Sequence, residues 1–132
     1  MRDMVKIIDE FLKELETIMN KYCKIQTELH TIEEWALKDS KIENDLIMLE
    51  ERLTAIIEYK IRKIAEKHSL NIKSVDFEFL SEYVTTARYE IYRLCTLQVD
   101  EKSIDVFAVL REEEEPHYSL ELTKLYVDPR ER

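Results

Sequence analysis

Two carboxylates and a lysine in the C-terminal half are the residues best suited to catalysis. Asp105 sits in Ser103-Ile104-Asp105-Val106, and Glu121 and Lys124 in Leu120-Glu121-Leu122-Thr123-Lys124. Both segments alternate apolar and polar residues, the pattern of strands with one buried face. Carboxylates on consecutive strands can share a divalent cation, Mg²⁺ or Mn²⁺, that polarises a phosphoryl oxygen and activates water. A nearby ammonium group would position the attacking water.

This arrangement resembles the Asp-then-Glu-x-Lys pattern of the PD-(D/E)xK nucleases. The resemblance implies Asp105 and Glu121 as metal ligands and Lys124 as the water-positioning residue. It covers residues 103–124 only, and the helix and strand that follow in that family are missing. Lys124 also stands three positions beyond Glu121, where the family has two, so in a regular strand it points to the opposite face. Thr123 occupies the expected place, and a β-bulge would be needed to bring the lysine back. Arg62 and His68 have the spacing of the HEPN ribonuclease motif. HEPN domains are all-α, which the strand patterns here contradict, and a basic helix end is the simpler account. His30, His68 and His117 come from separate segments without zinc-site spacing.

Composition narrows the classes further. Net charge is −9 with a pI near 4.9, and both halves are acidic, which disfavours a sequence-independent grip on nucleic acid. Glycine is absent, where average usage would give about nine residues in a chain of this length. That excludes Gly-rich phosphate loops and Rossmann turns. With the Lys, Glu and Ile bias it also points to a heat-adapted source or one of its viruses. No apolar run approaches the ~20 residues of a membrane span, and an amphipathic pattern begins at Met4, so a cytoplasmic location is expected. Cys23 and Cys95 lack any CxxC or disulfide framework and read as free structural thiols.

The elements that must position these residues are legible. Met4, Ile8, Phe11, Leu15, Ile18, Tyr22, Ile25, Leu29, Ile32 and Ala36 are spaced alternately by four and three, a heptad seam. Val5, Ile7, Leu12 and Met19 flank it near its start. Ser40-Lys41-Ile42-Glu43 is a capping box that opens a second helix, with a stripe of Ile42, Leu46, Leu49, Leu53, Ile57, Ile61, Ile64 and His68. A competing capping box at Thr31 would break the first helix near His30. The short link makes the helices antiparallel, and Ile47, Met48, Ile56 and Tyr59 are left over after one pairing.

After His68 the period changes to two. Residues 75–79, 89–99, 104–110 and 118–127 read as strands of an antiparallel meander, with turns at 100–102 and in the acidic run 112–115. Segment 80–87 fits helix or strand. Without glycine, longer loops or Asp and Asn in left-handed conformations must replace tight turns. Ile104, Val106, Ala108, Leu110, Tyr118, Leu120 and Leu122 should face the core, with Arg93, Asp105, Glu121 and Thr123 opposite.

The fold class expected is therefore α+β: a coiled-coil-like antiparallel helical hairpin over 1–70, then a β-meander of three to four strands over 71–132. The function expected is a non-catalytic interaction or assembly module, a homo-oligomer (dimer or tetramer) that can also engage another protein, with no membrane and no cofactor. Its interface would use Ile8, Phe11, Leu15, Ile18, Tyr22, Ile25, Leu29, Ile47, Met48 and Ile56. The alternatives are a minimal PD-(D/E)xK-like nuclease using Mg²⁺ or Mn²⁺, and an acidic inhibitor or adaptor, of viral or other origin, that binds a basic surface of a partner protein.

Overall fold

A computed structural model describes residues 3–36, 40–76, 84–85, 89–112 and 120–128. Helix α1 (Met4–Ala36) and helix α2 (Ser40–Lys67) form an antiparallel hairpin. Strands β1 (Asn71–Val75), β2 (Val84–Thr85), β3 (Tyr89–Val99), β4 (Lys102–Glu112) and β5 (Leu120–Asp128) make one antiparallel sheet in the order β1-β3-β4-β5, with β2 also on β3. The α+β expectation is met. α1 continues unbroken past Thr31, whose hydroxyl donates to the Thr27 carbonyl 3.1 Å away and so closes a helical turn instead of capping a new one. α2 begins at Ser40 as the capping box requires.

Strand placement corrects the start of the first strand, which lies at Asn71 with the strand running Asn71–Val75. The rest of the expected strand, 77–79, lies outside the described residues, as do 80–83, 86–88 and 113–119. The undecided 80–87 segment contains the short strand β2.

One core joins the halves. α1 packs on α2 and β5, and α2 packs on β1. Phe11, Leu15, Met19 and Tyr22 of α1, Ile57 and Ile61 of α2, and Leu94, Leu97, Val106, Ala108, Leu110 and Leu122 of the sheet form a single buried cluster. The expected core face of β4 and β5 is correct, with Ile104 half-buried and Tyr118 outside the described residues.

The chain makes its sharp turns without glycine. α2 ends in a Schellman motif: Leu70 N–H donates to Ala65 O at 2.8 Å and Ser69 N–H to Glu66 O at 3.0 Å, with Ser69 left-handed at φ 59°. Between the paired residues Val99 and Lys102 lies a two-residue loop, with Asp100 at φ 56°. A tight hairpin therefore does occur here, and an aspartate supplies the left-handed conformation. A Cβ at positive φ costs ~1–2 kcal/mol. Replacing Ser69→Gly is expected to raise stability by about 1 kcal/mol in urea unfolding; a loss would show that the serine hydroxyl contributes more than the strain removes.

Candidate functional site

On the outer sheet face, β4 presents Asp105, Phe107, Val109 and Arg111. Across the β4–β5 ladder, Asp105 pairs with Asp128, Phe107 with Tyr126, Val109 with Lys124 and Arg111 with Glu121. The register skips Thr123, a bulge that turns Lys124 back to the face of Glu121, so the lysine has the parity that the nuclease pattern needs. The carboxylates do not converge. Glu121 lies opposite Arg111, six residues along β4 from Asp105, about 20 Å at ~3.4 Å per residue. One cation cannot bind both, and the metal pair expected from the sequence is corrected accordingly.

Asp105 and Lys124 have other work. Asp105 is buried and accepts a 2.7 Å hydrogen bond from Thr96 Oγ1, its cross-strand neighbour. Lys124 lies 5.6 Å from the Tyr126 ring, which stacks on Phe107 at 5.4 Å. Among the described residues, no three His, Cys, Asp or Glu side chains are grouped to hold a metal.

Arg62 and His68 point apart. Arg62 pairs with Glu58 at 3.2 Å and reaches the Ile72 carbonyl, tying α2 to β1. His68 Nε2 meets Glu14 Oε2 at 3.1 Å, and Lys67 Nζ meets Glu14 Oε1 at 2.7 Å, tying the end of α2 to α1. The Lys67 hydrogen bond, then that of His68, holds the Glu14 carboxyl below its ordinary value of 4.5. A depressed carboxyl stabilises the fold above 4.5 and loses that effect as pH falls through its folded value. Wild-type protein should therefore exceed Glu14→Gln in urea midpoint at pH 7, and the gap should narrow as the pH falls below 4.5; a pH-independent gap would contradict the pairing.

Cys23 and Cys95 are free and buried, and burial pushes both thiols up to about 12. They are inert packing residues. Neither should react with an aromatic disulfide reagent in the native protein, and both should react in urea; fast native labelling of either would refute the burial.

The hairpin's solvent-side groove is the remaining site. A seven-residue repeat falls ~20° behind a straight helix per heptad. Accordingly Phe11 is fully buried and Ile18 half-buried, but Ile25 and Ile32 are exposed by 39% and 49%. Met19 and Cys23, off the seam in sequence, rotate into the core. Of the ten expected interface residues, Ile8, Phe11, Leu15 and Tyr22 belong to the chain's own core, with Ile18 packed against it and Leu29 half-buried. The four buried residues are covered within the chain, so they are removed from the interface. Ile25, Ile47, Met48 and Ile56 are open, together with Ile32, Ile42, Leu49 and Tyr59.

Five of these open residues share a side. The Glu14–Lys67 bridge crosses the groove between the helices. Ile25 and Ile32 follow Glu14 by 11 and 18 residues, and Ile56, Leu49 and Ile42 precede Lys67 by 11, 18 and 25. At ~100° per residue all five lie within about 20° of their bridge residue. The antiparallel pairing sets Ile25 near the level of Ile56 and Ile32 near that of Leu49. The groove is thus bridged by charge near the sheet's core and walled by apolar residues towards the hairpin tip, with Met48 and Tyr59 widening it over α2. Ile47 lies on another side of α2.

No helix among the described residues is long and apolar enough to cross a membrane. The chain matches no family model, no curated protein and no solved structure. The sequence did show surplus apolar positions; a wheel drawn at 3.6 residues per turn would have separated core from groove, and the missed members are Ile32, Ile42 and Leu49.

Proposed function

We propose that this protein is a non-catalytic assembly module that self-associates through the apolar groove of its helical hairpin. The single observation behind this reading is the exposure of Ile25, Ile32, Ile42, Leu49 and Ile56 along one side of the hairpin. Isolated exposed apolar residues are ordinary, but two facing rows over several helical turns make a patch of the kind that marks an interaction surface. Water gains by its burial at roughly 25 cal/mol per Å², and the helices already hold the rows rigid, so little ordering opposes association. The acidic exterior, with net charge −9, limits non-specific clustering.

Placing a lysine in the groove should dissociate the assembly without unfolding the chain, because these side chains lie outside the core. Leu49→Lys and Ile25→Lys are each expected to weaken self-association at least about a hundredfold in analytical ultracentrifugation, with helical circular dichroism retained. Unchanged association in both variants would defeat the reading.

A further inference from the structure

Resting on that reading, we infer that the groove's occupant is a second copy of this chain, with α2 of each copy packed antiparallel about a two-fold axis beside Leu49. The row Ile42, Leu49, Ile56 is symmetric about its middle member, with seven residues on each side. Antiparallel pairing centred there sets Ile42 against the second copy's Ile56, Leu49 against the second copy's Leu49, and Ile56 against the second copy's Ile42. An isologous interface demands this self-complementarity, because one patch must serve both subunits.

Charge selects the same arrangement. Asp45 precedes Leu49 by four residues and Arg52 follows it by three, both on the row's solvent flank. In the antiparallel pair, Asp45 of one copy falls within about 1.5 Å along the axis of the second copy's Arg52, and the contact occurs twice. In a parallel two-fold pair the matching flanks lie on opposite sides of the seam, so Asp45 and Arg52 would not meet; only the antiparallel pair brings them together. Asp45 and Arg52 are both exposed, and neither makes an ion pair or side-chain hydrogen bond among the described residues. Their neighbours Arg62, Lys63 and Lys67 are already paired within the chain. Ile25 and Ile32 of each α1 complete the layer, so two hairpins close into a four-helix bundle with both sheets outermost.

The test measures dimer dissociation constants by sedimentation for wild type, Asp45→Arg, Arg52→Asp, the double variant and Leu49→Lys, with circular dichroism confirming the fold of each. Each single charge reversal creates two like-charge contacts and is expected to weaken the dimer about tenfold or more, and the double variant should return to within about threefold of wild type. A double variant weaker than both singles, or singles equal to wild type while Leu49→Lys still dissociates, would overturn this register and leave the assembly reading standing. Wild-type mass in all variants, or a monomeric wild type, would overturn both.

Discussion

A straight α-helix completes a turn in 3.6 residues, so a seven-residue repeat laid along it drifts steadily around the axis. α1 spans 33 residues beside a shorter α2 of 28, and the drift decides which of its apolar residues meet the sheet. Near its start the seam points into the core, where Phe11 and Leu15 are fully buried. By Ile25 and Ile32 the seam has rolled towards solvent, over the outer side of α2. The row of Ile42, Leu49 and Ile56 on α2 meets it from the other helix. The groove is therefore a consequence of helix geometry acting on a heptad sequence.

The sheet solves a different constraint. A chain without glycine must still turn sharply, and it does so with Ser69 and Asp100 in left-handed conformations and with bulges at Lys73, Leu94 and Thr123. Bulges bend and twist a strand while keeping the apolar residues on either side facing inward. The register resumes after each one, so Ile72, Leu97, Val106 and Leu122 all lie on the helix-facing side. The Arg62 contact to the Ile72 carbonyl ties α2 to this sheet, and the Glu14 bridge ties α2 to α1.

Much of this was legible in the residues. The helical hairpin, the start of its second helix at Ser40, the limits of the third strand and the core face of Ile104 to Leu110 follow from period and capping chemistry alone. Two things did not follow. Thr123 has nothing in its type that announces a bulge; only the pairing with β4 reveals that Lys124 returns to the face of Glu121. The distance between Asp105 and Glu121 likewise depends on ladder register, which alternation leaves open because a shift of two residues preserves every inward side chain. The interface residues were confused with core residues for a simpler reason: apolar periodicity reports that a residue is buried against something, whether sheet or partner.

The central claim is that an apolar groove left open by a folded monomer is closed by another copy of the chain. The absolute molar mass of the purified protein by light scattering, at two concentrations differing about tenfold, addresses it most directly. The account predicts twice 16.0 kDa at the higher concentration. A mass of 16.0 kDa at both would contradict it.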